Sequence, residues 1–360
     1  MEENPRGWIH GDETAKAMLS RILTERPFLF LPPLHRVPLR VGNVVEIAGP
    51  SPSAKSQILL HAAVNCILPE EWKGIRFGGL GRMVMYFDLD CRFDVLRLSQ
   101  ILKHRIMEAY RSTNNTYWKE KGEHQKNDAP TTHMYLCDDE LFLDCMRRFL
   151  YIRCYNSFEF LAALKAMHSH SQRESEALGV SVHFLMIDSI GAFYWMDRAC
   201  QPMPIGGSKR KNVSLQSLAE AVVQEICKLL QMQPVLVLAT KATIFGAGTS
   251  GNDAQRLAHD VNLPILRSTS STRAFGKWCS EGKMDSRTSS REGEKLMYRE
   301  YMPSSWQSFV THRVHLQALD EIISGGEYGT LLTYASQWVQ PPLNIKDKFA
   351  IRDDGIFLIT

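Results

Sequence analysis

Gly49, Lys55 and Ser56 stand in the stretch GPSPSAKS with the spacing of a phosphate-binding loop: glycine, four residues, glycine, lysine, then serine or threonine. Such a loop binds phosphates because successive backbone N–H groups point inward at a helix N-terminus, while the lysine adds charge and the hydroxyl binds Mg²⁺. Gly49, Ser53, Ala54, Lys55 and Ser56 are therefore the candidate phosphate cradle. Three residues depart from the pattern. Pro50 and Pro52 lack N–H donors, and Ala54 occupies the place of the second glycine. If Ala54 is left-handed, the conformation costs roughly 1–2 kcal/mol. Taken alone, the octapeptide reads equally as a nucleotide site or as an ordinary strand-to-helix turn. Asp188 bears on the choice. It ends the apolar run VHFLMID, and a strand-terminal aspartate suits water-mediated Mg²⁺ binding in an NTPase, although the same residue also serves to cap a turn.

These groups need elements to hold them. VVEIA reads as a buried strand directly before the loop, and residues 55–68 as a helix that stops before Pro69. MVMYFDLD (83–90) is another strand. In the helix that follows, 94–110, Val95, Leu98, Ile101, Leu102 and Ile106 fall on one face, with Asp94 as cap. A further helix at 138–147 precedes the strand FLYIRC and the helix FEFLAALKAMHSHSQRES. The strands VHFLMID (182–188) and PVLVLA (234–239) flank the helix LQSLAEAVVQEICKLL. Strands alternating with helices imply crossovers and a largely parallel sheet covered on both faces. The expected fold is a doubly wound α/β domain, and the later runs FVTHRVHLQ, GTLLTYASQWV and GIFLIT are expected to extend its sheet in antiparallel fashion.

Residues 1–40 hold a helix-like stretch, ETAKAMLSRIL, and then an apolar arm, RPFLFLPPLHRVPL, which its prolines keep extended. The arm covers either the domain's own sheet edge or a partner's. Residues 41–360 form the core, with polar insertions near 111–135 and 246–305. The net charge of +3 is too small to establish nucleic-acid binding by itself. No apolar run approaches the roughly 20 residues of a membrane helix, and the first residues are too acidic and polar for a signal peptide. The eight cysteines lack paired spacing and read as reduced thiols. His133 with Cys137, and His168 with His170, have no second matched pair and do not make a metal site.

Two stretches are far more specific than the loop. GRMVMYFDLDCRFDVLRLSQILKHRI and HFLMIDSIGAFYWMDRA resemble the eukaryotic paralogues of the RecA-type strand-exchange recombinases, and in particular a short kind without an N-terminal helical domain. VVEIAGP, CILPE and SSWQSFVTHRVHLQ fit the same family. The resemblance covers residues 43–107 and 180–240, thins at 300–317, and is absent from both insertions. It implies a RecA-like P-loop NTPase core, ATP and Mg²⁺ as ligands, and nuclear work in homologous recombination. It also implies assembly with other recombinase paralogues that support the main strand-exchange recombinase on single-stranded or branched DNA. By motif position Lys55 and Ser56 meet phosphate and Mg²⁺, with Asp188 as the second acid. Asp90 stands where active members carry a water-activating glutamate, one methylene longer. Lys241 stands where a γ-phosphate-sensing glutamine is usual. Those departures argue against efficient hydrolysis.

The family's two DNA-binding loops follow the strands that end near Asp188 and Ala239. This chain places basic segments there: GGSKRKN, with Lys209, Arg210 and Lys211, and residues 267–299, with Arg273 and Lys277 among eight Lys/Arg against four Asp/Glu. Phosphate contact needs mobile cations more than a fixed motif, and Trp278 and Tyr298 offer rings for base stacking. A solvated surface loop has the same composition. The functions in view are a repair subunit acting mainly by assembly, an active DNA-dependent ATPase, and a small-molecule P-loop kinase.

Overall fold

The computed structural model describes residues 31–120, 138–199, 214–245, 298–324 and 330–359. The chain divides into two units, 1–242 together with 302–360, and 243–301. In the smaller unit, β8 (Ile244–Phe245) pairs antiparallel with β9 (Tyr298–Arg299).

The larger unit is built on one sheet. Among the described residues it has nine strands: β1 (Val44–Gly49), β4 (Met83–Asp88), β5 (Phe149–Arg153), β6 (Val182–Asp188), β7 (Leu236–Ala242), β10 (His312–Ser324), β11 (Thr330–Gln340), β12 (Lys346–Ile351) and β13 (Ile356–Ile359). Their order is β13-β12-β11-β10-β1-β7-β6-β4-β5. From β10 to β5 every pairing is parallel, and from β10 to β13 every pairing is antiparallel. β1 and β4 are buried along their whole length, as central parallel strands with two covered faces must be. A two-strand ribbon, β2 (Glu71–Trp72) with β3 (Ile75–Arg76), follows the first helix.

The first helix, α1 (Lys55–Ile67), packs on β1, β4, β6 and β7. Beside it lies α2 (Val95–Glu120), whose Leu98, Ile101, Leu102 and Ile106 are fully buried. Asp94 caps it, accepting from Leu96 N at 2.9 Å and Arg97 N at 3.1 Å. Val95, expected on the same face, is exposed because it sits in the first turn, before the stripe meets the core. Next come α3 (Asp139–Arg147), α4 (Ser157–Leu178), α5 (Tyr194–Ala199), α6 (Leu215–Met232) and α7 (Ser304–Phe309). On β4, Tyr86 joins the core under α1, while the next residue, Phe87, points the other way and meets Phe160 of α4 edge to face at 5.3 Å. The sheet is thus covered on both sides, and the expected doubly wound α/β core with antiparallel C-terminal strands is what forms.

Several boundaries differ from the sequence reading. Helix α2 runs on to Glu120, so residues 111–120, expected in a polar surface loop, are helical. Neither Pro nor Gly interrupts the chain there, and the Thr113 hydroxyl bonds back to Ala109 O at 3.0 Å, so polarity did not break the helix. Within the segment 246–305, expected to lack regular structure, Tyr298–Arg299 form β9 and Ser304 begins α7, whose Trp306 is buried. Strand β12, KDKFAI, opens on three charged residues and was not foreseen. In the arm, Leu34–Arg36 form a 3₁₀ turn instead of an extended run, with Leu34 N donating to Leu31 O at 2.7 Å. Leu31, Leu34, Val37 and Leu39 are buried in the chain's own core. The Arg36 guanidinium grips Asp347 of β12 at 2.7 and 3.0 Å, and Trp338 Nε1 donates to Pro33 O at 3.3 Å. The described part of the arm therefore covers the antiparallel end of its own domain. Among the described residues, no helix is long and apolar enough to cross a membrane.

Candidate phosphate-loop cleft

Residues 50–54 carry the chain from the end of β1 to the N-terminus of α1. The turn is tight at both ends. A Cβ on Gly49 would meet Leu316 O at 2.5 Å and Ser53 Oγ at 2.6 Å, so only glycine fits. Ala54, the residue before the helix, is left-handed, with φ 64° and ψ 10°. The conformation that a second glycine serves is thus present, carried by a residue with a methyl group. No side chain caps α1, so its first-turn N–H groups stay available to an acceptor from outside.

Lys55 does not extend away from this loop. Its ammonium donates to Gly49 O at 2.8 Å, Pro50 O at 2.9 Å and Ser53 Oγ at 3.0 Å. Burial lowers its pKa to about 8, against the opposing pull of the Asp188 and Asp90 charges, and the positive Arg92 pushes in the same direction as burial.

Loop and acids face one cleft of about 210 Å³. Ser51, Ser53, Ala54, Lys55 and Ser56 line it from the end of β1, and Asp90, Arg92, Asp188 and Ser189 from the ends of β4 and β6, which lie beyond β7 in the sheet. This is the carboxyl end of the parallel strands, where open α/β sheets place their ligands. Gly49 is not on the cleft wall; its carbonyl accepts from the Lys55 ammonium. Asp188 is held on both oxygens: Tyr86 donates to Oδ2 at 2.8 Å and the Thr240 hydroxyl donates to Oδ1. Burial and the adjacent Asp188 raise the Tyr86 pKa well above the usual tyrosine range. Asp90 has its pKa raised, by burial first and by the nearby Asp188 charge second.

Asp88 has a different task. It accepts from Arg92 N at 3.2 Å, Phe93 N at 3.3 Å and Tyr151 OH at 2.9 Å, and so ties down the turn that carries Asp90. Burial and this bond push the Tyr151 pKa up to about 12. Phe93 stacks on Tyr151 and on Phe149, at 4.7 and 5.3 Å.

Lys241 is not in the cleft. Side chains alternate along β7, so the hydroxyl of Thr240 turns toward Asp188, while Lys241, one residue on, turns to the opposite face. There its ammonium lies 2.8 Å from the fully buried carboxylate of Glu46. Glu46 also accepts from Arg313 Nε at 2.7 Å and Trp306 Nε1 at 2.8 Å. The expectation of Lys241 at the nucleotide was wrong by one residue of strand register. Lys209, Arg210, Lys211, Arg273 and Lys277 lie outside the described residues, as do Trp278, His133 and Cys137.

No family model matches the chain. A curated relative does. Over 356 residues the chain is 45% identical to the DNA repair protein XRCC2 homolog of Arabidopsis thaliana, covering 98% of this chain and 90% of that one. The chain belongs to the XRCC2 family of DNA repair proteins. DNA repair protein XRCC2 of Mus musculus is 25% identical over 315 residues, covering 88% of this chain and 84% of its own length. The family expected from the two long motifs is the one found, and the fold is the RecA-like core that goes with it.

In this cleft the residues that the motifs do not point to are Arg92, Gln57 and Ser189 on the walls, and Tyr86 and Thr240 behind Asp188. Arg92 stands inside FDLDCRFD, between the acids Asp90 and Asp94 that the motif singles out. Thr240 was one residue from the position chosen.

Proposed function

We propose that this chain supports DNA repair by homologous recombination in the nucleus, as a subunit that acts mainly by assembling with recombinase paralogues. On this reading it binds ATP with Mg²⁺ weakly and hydrolyses it slowly or not at all. The observation that carries the reading is the placement of Lys55 and Asp188 on one cleft at the uncapped start of α1, beside a loop short of two N–H donors.

The residues present fit a magnesium nucleotide. The loop hydroxyls of Ser51, Ser53 and Ser56 and the free first-turn amides suit phosphate oxygens. Ser56 and Asp188 would hold Mg²⁺; a carboxylate has about four lone-pair sites, so the two hydroxyl bonds to Asp188 leave room for a metal-bound water. Among the described residues no set of three or more His, Cys, Asp or Glu is arranged to hold a metal alone, so Mg²⁺ would arrive with phosphate.

ATP turnover with and without single-stranded DNA, together with co-purification of candidate paralogues, tests the proposal. Stable co-purification with turnover near background supports it. DNA-stimulated turnover favours the second reading, an active DNA-dependent ATPase. That reading draws on Asp90, a cleft carboxylate whose raised pKa suits a base. DNA contact by Lys209, Arg210, Lys211, Arg273 and Lys277 is proposed from composition alone and predicts strongly salt-dependent binding.

A further inference from the structure

We propose that Arg92 is a second phosphate ligand of this cleft, reaching the terminal phosphate of a nucleoside triphosphate from the end of β4. The inference rests on the nucleotide-binding reading above and names the residue on which discrimination between triphosphate and diphosphate depends.

The charges that face one another lead to it. The cleft walls carry two cations, Lys55 and Arg92, and two carboxylates, Asp90 and Asp188. Without Arg92 the walls would be net negative, hostile to a polyanion. The loop itself is short of donors, because Pro50 and Pro52 have no N–H. Its lysine is spread over three acceptors of its own loop. A second cation is what such a site requires.

The backbone around Arg92 is built to present it. Asp88 accepts from the amides of Arg92 and Phe93, and Phe93 is stacked against Tyr151 and Phe149. Cys91, just before, has φ 55°, a left-handed conformation unfavourable for a side-chain-bearing residue. This fixed turn sets Arg92 on the cleft wall, while its guanidinium has no hydrogen-bonded or ion-paired partner among the described residues. Guanidinium matches phosphate oxygens in pairs, which favours it for this task. The loop amides would take the first phosphates, and Arg92 would then be placed for the last one.

The test titrates the full-length chain with fluorescent ATP and ADP analogues in Mg²⁺, for wild type, Arg92→Gln, Arg92→Lys and Asp90→Asn. Arg92→Gln is expected to weaken ATP by about tenfold or more and ADP by less than about threefold, the scale of one lost charge-assisted contact. Arg92→Lys should fall between, and Asp90→Asn should tighten ATP. Equal ATP affinity in Arg92→Gln and wild type overturns the inference and leaves nucleotide binding standing; so does an equal loss of ATP and ADP. A wild-type chain that binds neither analogue overturns both. The nucleotide-free thermal midpoint should not move, since Arg92 is exposed; if it drops in Arg92→Gln, the ATP-to-ADP ratio of Arg92→Lys decides.

Discussion

The ammonium of Lys55 donates to the carbonyl oxygen of Gly49 at 2.8 Å, so the cation at the end of the candidate phosphate loop closes on the loop's first residue. Together with the bonds to Pro50 O and Ser53 Oγ, this satisfies the charge within the chain. An incoming phosphate must compete with those acceptors, which fits a loop that folds fully and binds weakly.

That geometry has a pH signature. Burial holds the Lys55 pKa at about 8, below its ordinary 10.5. Between those values the unfolded chain carries the proton and the folded chain does not, so this group makes stability rise with pH across the window. Phosphate needs the ammonium, so nucleotide affinity should fall as pH rises through about 8. Lys55→Met should flatten both trends. Denaturant midpoints and analogue titrations across the window, each compared with Lys55→Met, are the measurements.

Repair should depend little on this lysine. Asp90 is a methylene shorter than the usual base, and Lys241 is committed to Glu46 on the far face of the sheet. Lys55→Ala is therefore expected to complement a repair-deficient line nearly as well as wild type. Loss equal to a deletion, at normal protein level, would show that nucleotide chemistry is required.

What could be read from the sequence followed the strength of local patterns. The buried strands at 83–88, expected to run on to Asp90, and 182–188, with the helices between them, were legible because apolar runs and 3.6-residue stripes leave few alternatives. Strand β12 was not, since KDKFAI hides two core residues among charges and pairs with a strand at the sheet's open end. Helix α2 outlasted its apolar stripe because nothing in its continuation breaks a helix. At the site, residue types located the loop and Asp188. Which of Thr240 and Lys241 faces the cleft depends on strand register, and pairing fixes register, not composition.

Ala54 gives a prediction of opposite sign to most substitutions. It occupies the left-handed region at roughly 1–2 kcal/mol, while glycine loses about 0.5–1 kcal/mol more backbone entropy on folding. Ala54→Gly should thus stabilise the chain by about 0.5–1 kcal/mol, raising the midpoint by about 1–3 °C, and should bind nucleotide analogues more tightly. A lowered midpoint in calorimetry would mean that the methyl makes contacts worth more than the strain.

Glu46 carries the largest predicted loss. Its carboxylate is fully buried in β1, with Lys241 at 2.8 Å, Arg313 at 2.7 Å and the Trp306 indole at 2.8 Å, so one acid ties β1, β7, β10 and α7 together. Removing one member of a buried ion cluster strands the charges left behind, typically at about 3–5 kcal/mol. Glu46→Gln keeps the shape and an acceptor for the indole, yet leaves two cations without their counter-charge, so a loss near the lower end, about 3 kcal/mol, is expected. Adding Lys241→Met should recover at least about 1 kcal/mol, because the second change removes a charge that the first left buried. Strict additivity of the two in urea unfolding would refute the coupling. Nucleotide affinity provides the second readout: Lys241 faces away from the cleft, so the folded double variant should bind ATP and ADP analogues as wild type does. A selective loss of ATP in that variant would return Lys241 to the role first assigned to it.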